Sequence, residues 1–427
     1  MPTSESFTPQ QRGIVLLIAA VQFINILDFV MVMPLGPYFA SVGVAQSQMG
    51  LVGGAYTAAA CVSGLVSASF LDRFDRRKAL AVSMLGLVLG TASGGLASGM
   101  TSLLLARCLA GVFGGPATSM AFSIISDAIP VNLRGRAIGM VMGAFSAATV
   151  LGVPGGLWMA EHLGWRSAFL AVAGLGVLIV LGAIRLLPPL VGHLEAYRKE
   201  THHITTGELL SRPLVQVSLL MTAVTMMAGF VIIPNISTYL HLNHHVEMSA
   251  LKFLYLVGGV GSLVASQSAG RLVDRFGAFK VGTFGTLVVA PVVWLVFVDA
   301  NAVKLPVPVF FIWFMMAMAV RNVPYNTLTT RVPGPTERAR FQSIQSAVQH
   351  GASALASGLG PLVLSLKARD PWPTDMPGEL PRTLVGMEKV AVISLGLTLS
   401  IPFLLWWVEA RVPPKVPRLL LPRQPVD

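Results

Sequence analysis

The sequence predicts an all-α membrane protein: twelve transmembrane helices in two pseudo-symmetric six-helix bundles around a central cavity. Three observations carry this. Only 11% of the 427 residues are charged against 54% hydrophobic, with a mean hydropathy of +0.71, whereas soluble chains are about a quarter charged. Apolar runs of roughly 20 residues, enough to cross a ~30 Å hydrocarbon core, recur twelve times. A charged loop signature also occurs twice, once in each half of the chain.

Span one covers 13–36. It follows a single basic residue, Arg12, and is too long for the apolar core of a signal peptide, so it reads as a retained helix. Spans two and three, 49–70 and 79–98, flank the first charged loop. Span three carries Gly86, Gly90 and Gly94, and span four, 101–124, carries Gly111 and Gly115; glycines four apart let helix backbones approach closely. Span five, 137–159, holds Gly152-Val153-Pro154-Gly155-Gly156, and span six is 166–187. The polar stretch 188–212 then reads as a cytosolic linker between bundles 1–187 and 213–427, the second ending in a cytosolic tail. Spans seven to twelve follow at 213–236, 249–270, 281–298, 306–328, 341–366 and 384–407. Prolines in or at the ends of spans, such as Pro116, Pro154 and Pro324, release backbone carbonyls and read as hinges or as static kinks.

Charge placement sets the orientation. Twenty-one of the 30 Lys and Arg residues lie in tails and loops on one side and seven on the other; Arg107 and Arg321 lie within spans. Basic loops stay in the cytosol, so both termini are expected there, in a multi-pass protein of the cell membrane (the inner membrane in a bacterium). The net charge of +11 would suggest nucleic acid if the basic residues formed one patch with interleaved aromatics. They punctuate apolar runs instead, so the lipid bilayer and not nucleic acid is the partner that charge placement implies; a small-molecule substrate, protons and a monomeric chain are further expectations. There is no phosphate-binding G-x-x-x-x-G-K-[ST] loop and no nucleophile–base constellation, so neither an ATP-driven pump nor an enzyme is expected. Cys61 and Cys108 sit inside apolar runs, and His202-His203 and His244-His245 lack a carboxylate or thiol set; no metal or cofactor is expected.

Leu71-Asp72-Arg73-Phe74 recurs as Val273-Asp274-Arg275-Phe276, and Arg134-Gly135-Arg136 as Arg338-Ala339-Arg340. Each pair falls in the corresponding inter-span loop of its half. Together with Arg76 and Arg77, Arg107 followed by Gly111, the helix-five glycines and Gly164-Trp165-Arg166-Ser167-Ala168-Phe169, these motifs resemble the major facilitator superfamily. The resemblance is to its twelve-helix, proton-coupled drug and sugar efflux branch. The chain departs from the family's loop at Ala68 and Asp75, where glycines are usual, while the second copy keeps Gly270 and Gly277. Its helix-five motif is looser than G-P-x-x-G-G and is similar to the G-V-P form of sugar-efflux relatives. The resemblance implies that Asp72, Arg73, Arg76, Asp274 and Arg275 form a gating loop, with Asp72 latching the halves on the cytosolic side. It also implies that Gly152, Pro154, Gly155 and Gly156 form the antiporter motif. Positive-inside topology alone is a second use for the loop's basic residues.

Asp28 is the only one of nineteen acidic residues well inside a span. A mid-bilayer charge costs about 2.5–3.5 kcal/mol on insertion scales, so it needs a partner or water. Arg107 lies at a similar depth, each about 10 Å below the outer boundary at 1.5 Å per residue. Burial favours the neutral acid and a guanidinium favours the carboxylate, which makes this pair the candidate for proton coupling. Gln22, Asn25 and Asp28 share one helix face, as do Arg107, Gly111, Gly114 and Thr118. Arg321 and Tyr325 with neighbouring Asn322 and Asn326, and Gln345 with Gln349, make polar stripes in spans ten and eleven. Polar stripes in lipid spans face protein or water. We expect them to line a substrate cavity between helices one, four, ten and eleven, with interhelical hydrogen bonding as the alternative. His350 is a second candidate proton carrier or a packed neutral histidine. The expected function is proton-coupled efflux of a small amphipathic or drug-like compound; the alternative is efflux of a sugar-like or other polar metabolite.

Overall fold

In hydrocarbon every backbone polar group must be satisfied within the chain, which favours helices. The computed structural model describes residues 7–67, 74–130, 133, 137, 139–141, 143–144, 147–188, 206–298, 306–334, 338–368 and 382–412. In the first half α1 is Pro9–Met31, α2 Met49–Ser67, α3 Arg76–Gly95, α4 Met100–Ala128, α5 Val153–Leu163 and α6 Trp165–Leu186. In the second half α7 spans Pro213–His244 with a break between Phe230 and Ile233. It is followed by α8 Met248–Phe276, α9 Ala278–Val293, α10 Val307–Thr329, α11 Arg338–Val363 and α12 Met387–Glu409. Among the described residues, ten of these helices are long and apolar enough to cross a membrane. The other two are α5, only 11 residues long behind a π turn at Ala148–Gly152, and α11, which is loaded with Gln342, Gln345, Gln349 and His350. The linker expected at 188–212 falls largely outside the described residues, which resume with a short helix, Thr206–Ser211.

Local sequence explains the helix starts. Thr8 and Gln11 make a reciprocal capping box ahead of α1, with Pro9 in its first turn. The Asp75 carboxylate accepts from the Arg77 amide at 3.0 Å to open α3. At α9, Gly277 adopts φ 92° and the cap comes from a distant helix. Glu409, at the end of α12, accepts from the Ala278 and Phe279 amides at 2.7 and 2.8 Å. A carboxylate there also complements the positive helix terminus.

Helix pairings repeat at an offset of six. α2 and α3 pack on α4, as α8 and α9 pack on α10; α6 packs on α1 and α3, as α12 packs on α7 and α9. Between the halves, α2 runs along α11, and α5 with its preceding π turn, Ala148–Gly152, runs along α8. Gly50 of α2 lies so close to the Ser357 carbonyl of α11 that a Cβ there would collide with it. The halves are also joined at the end where α2 begins. The 3₁₀ turn Gly36–Val42 packs on the outer arm of α7, Ile233–His244, and Lys252 of α8 pairs with Glu161 of α5.

A small hairpin departs from the all-helical expectation. Ser365–Ala368 pairs antiparallel with Arg382–Val385 and rests on the turn Gln46–Gln48. The Asn243 side chain donates to the Leu384 carbonyl and accepts from its amide, both at 3.0 Å, and so holds the second strand like a neighbouring strand residue. Large exposed apolar side chains, including Leu89, Leu105, Leu178, Leu287, Phe403 and Trp406, form the outward surface that a bilayer would cover.

Candidate proton and substrate site

The i, i+3, i+6 spacing on α1 turns Asn25 and Asp28 toward α4, and the two residues are buried. Asp28 is fully enclosed. Arg107 Nη1 donates to both of its carboxylate oxygens at 3.0 Å, and Nη2 donates to its backbone carbonyl at 3.3 Å. The Thr91 hydroxyl of α3 lies 2.8 Å from Asp28 Oδ1 and 2.8 Å from the Leu87 carbonyl. It has one proton, so it serves one acceptor at a time. The Arg107 guanidinium stands 4.7 Å from the centroid of the Tyr56 ring. Tyr56 in turn donates to Asn25 Oδ1 at 2.7 Å. Asn25 Nδ2 donates to the Gly114 carbonyl at 2.8 Å and to Thr118 at 3.1 Å. Four helices thus meet on one ion pair. Arg107 Nε and Gln22 Oε1 find no hydrogen-bond partner among the described residues.

Of the two uses expected for the Gly111, Gly114 and Thr118 face of α4, cavity lining and interhelical bonding, the contacts here are of the second kind: Gly111 and Gly114 leave room for Tyr56, and Thr118 meets Asn25. The small residues make space for a side chain of this chain. An aromatic relay then leads out of the half. Phe29 stacks on Tyr56 at 5.2 Å between centroids and meets Phe230, at the break in α7, at 5.6 Å.

The expected polar stripes of α10 and α11 come together in the second half. Gln349 donates to the Tyr325 hydroxyl at 3.2 Å, and Gln345 to Thr329 at 3.0 Å. Arg321 is buried between α7, α10 and α12. It donates to Thr398 at 3.0 Å, to the Thr225 carbonyl at 3.4 Å and, from both Nε and Nη2, to Asn322 Oδ1 at 3.3 Å. Asn322 and Asn326 are half-buried, as is His350.

The helix-five motif sits against α1. Gly152 packs on Leu27, and Gly156 faces Met31, while Gly155 has no neighbour within 4 Å of where a Cβ would stand; Pro154 opens α5 just after the π turn. Of the loop residues, Arg76 is buried and pairs with Asp127 of α4 at 3.2 Å, a contact within its own half. Arg275 lies over the Phe276 ring at 5.1 Å. Asp72 and Arg73 lie outside the described residues, as does the side chain of Asp274. Among the described residues no three His, Cys, Asp or Glu side chains gather at metal-binding distance. Tyr56 and Thr91 were not singled out from sequence. A lone tyrosine in span two was the one available signal for the first, and a threonine in a glycine-rich helix offered none for the second.

The comparisons agree with this architecture. The Major Facilitator Superfamily profile matches residues 18–357. The inner membrane transport protein YdhP of Escherichia coli is 27% identical over 235 residues, 55% of this chain and 59% of that protein. The chain therefore spans less than two thirds of that relative's length. The purine ribonucleoside efflux pump NepI of Shigella sonnei is 25% identical over 340 residues, 78% of this chain and 83% of the pump. A solved D-xylose–proton symporter shares the fold with a TM-score of 0.73 at 15% identity, covering 94% of this chain and 98% of that one. With the profile running from α1 into α11, and with helix pairings that repeat by six, the chain belongs to the Major Facilitator Superfamily, whose members are membrane transporters rather than enzymes.

Proposed function

We propose that the protein is a proton-coupled exporter that exchanges protons for a small amphipathic compound by alternating access. One observation carries this reading: the lone intramembrane acid, Asp28, is fully enclosed and held by Arg107 and Thr91. A buried carboxylate keeps its charge only while a cation and donors stabilise it. Drawing Arg107 or Thr91 away favours proton uptake, and restoring them expels the proton. The Phe230–Phe29–Tyr56 relay supplies the link to motion, because it crosses from the second half to the ring over Arg107. Separation of the halves loosens that ring, so substrate binding and proton occupancy become alternatives by linkage.

On this reading residues 1–187 and 213–427 are the two rocking bodies, 188–212 is the cytosolic connection, and the chain works as a monomer in the cell membrane with both termini in the cytosol. The end joined by the Glu161–Lys252 pair faces outward on the same reading. The polar groups of α10 and α11 line the substrate path, and Asp72, Asp274 and their arginines act at the opposite, cytosolic end.

Reconstituted vesicles with an imposed pH gradient test the proposal. Asp28→Asn is expected to retain substrate counterflow and to lose gradient-driven flux; full driven flux in that variant would remove Asp28 from the coupling. Arg107→Lys is expected to impair driven flux, since an ammonium lacks the planar fork whose Nη1 meets the carboxylate while Nη2 holds the Asp28 backbone carbonyl. A second reading, export of a nucleoside-like or sugar-like metabolite, is favoured by the similarity to a purine ribonucleoside efflux pump and by the amide-rich lining. Counterflow competition between nucleosides and lipophilic aromatics separates the two.

A further inference from the structure

We propose that Arg321 and Asn322 form a receptor for a carboxylate group on the transported compound; this rests on the exporter reading above and names the substrate class as amphipathic monoanions. Arg321 is 1% exposed. This chain has no intramembrane acid to pair with it. Of nineteen acidic residues only Asp28 lies well inside a span, and both of its oxygens are taken by Arg107. Among the described residues every acceptor around Arg321 is neutral: a threonine hydroxyl, a backbone carbonyl and one side-chain amide. Three of its four contacts stretch to 3.3 Å or more. Burying a guanidinium on such terms is expensive, and a buried cation is ordinarily met by a partner charge.

The geometry of the mismatch identifies what is missing. The Nε–Nη2 edge of a guanidinium presents two parallel N–H groups, spaced to take the two oxygens of a carboxylate. At Arg321 both N–H groups converge on one atom, Asn322 Oδ1. That single oxygen occupies the seat of two. Arg107 shows the contrast within the same chain, since its Nη1 stands 3.0 Å from each of two carboxylate oxygens, whereas Arg321 has only neutral acceptors around it among the described residues. Asn322 is half-buried and adjoins the polar stripe of Asn326, Tyr325 and Gln349. A rotation of its side chain therefore uncovers the edge toward the partly accessible face of α10. The fixed charges within the spans also leave a surplus: Arg107 is balanced by Asp28, and Arg321 is not. A bound monoanion removes that surplus and a lipophilic cation adds to it.

Binding of benzoate, benzamide and benzyltrimethylammonium to the purified full-length chain, followed by thermal stabilisation, tests the assignment. The three share an aromatic body and differ in charge. Benzoate is expected to bind at least about tenfold tighter than benzamide, as a charge-assisted bidentate contact requires, and the ammonium compound to bind weakest. Arg321→Gln is expected to abolish the preference for benzoate and to spare benzamide. Asn322→Ala, which removes the competing amide, is expected to keep or raise benzoate affinity. Equal binding of benzoate and benzamide by the wild type, absence of benzoate binding, or an intact preference in Arg321→Gln overturns the proposal; the wild-type comparison decides even if that variant does not fold. Asp28→Asn separates this inference from the antiport reading. A benzoate preference kept there alongside intact proton-driven flux sinks coupling through Asp28 and leaves the receptor standing. Driven flux lost in Asp28→Asn, in a chain whose wild type shows no benzoate preference, does the reverse.

Discussion

Tyr56 does two jobs from one position on α2: its ring covers Arg107 and its hydroxyl satisfies Asn25. Tyr56→Phe keeps the ring and leaves Asn25 Oδ1 buried without that donor. Such a loss costs about 1–3 kcal/mol, to be read as a lower unfolding midpoint in detergent. Thr91 acts on charge instead. Its hydroxyl is a donor within reach of Asp28 Oδ1 at 2.8 Å, and Thr91→Val removes that donor. Gradient-driven flux is expected to fall, and Thr91→Ser to restore it; unchanged driven flux in Thr91→Val removes Thr91 from the coupling. Asp28 and Arg107 were legible in the sequence because a charge inside an apolar run is costly enough to announce itself. Tyr56 and Thr91 were not, because a hydroxyl in a span is compatible with many packings until its partner is known.

Helix contacts here depend on where a Cβ has no room. At Gly115 of α4 a Cβ would stand 2.6 Å from the Ala60 carbonyl of α2. Gly115→Val is therefore expected to push α2 and α4 apart at a cost of about 1–3 kcal/mol. Gly155, in the helix-five motif, offers the opposite case: nothing lies within 4 Å, and Gly155→Ala is expected to change the unfolding free energy by no more than about 0.5 kcal/mol. A large loss at Gly155 would mean that its side is packed in the working protein. The four-residue glycine intervals showed that α3 and α4 pack closely, since that spacing falls on one helix face. They could not say which partner fills each gap. For the same reason the small-residue face of α4 stayed open between cavity lining and interhelical contact. The hairpin at 365–385 was missed because two four-residue strands carry too little alternation to stand out beside long apolar helices.

At the scale of the whole molecule, the doubled loop signature revealed two halves, because corresponding loops must recur when a bundle is repeated. It said nothing of which helices join them, since those contacts use small and apolar residues. The α2–α11 seam offers a direct test. A Cβ at Gly351 would lie 4.0 Å from the Cys61 Cβ, within the ordinary disulfide range. Gly351→Cys is expected to cross-link with native Cys61 on mild oxidation, to stop transport and to regain it with reductant. Transport that continues in the cross-linked protein would mean that this seam does not open during the cycle. The Glu409 grip on the first amides of α9 has a different consequence. It ties the last helix of the second half to one three places earlier, so the two turn together as a single strut. Spectroscopic labels placed on them should hold a constant separation through turnover, giving an internal ruler against which displacement of the first half can be gauged.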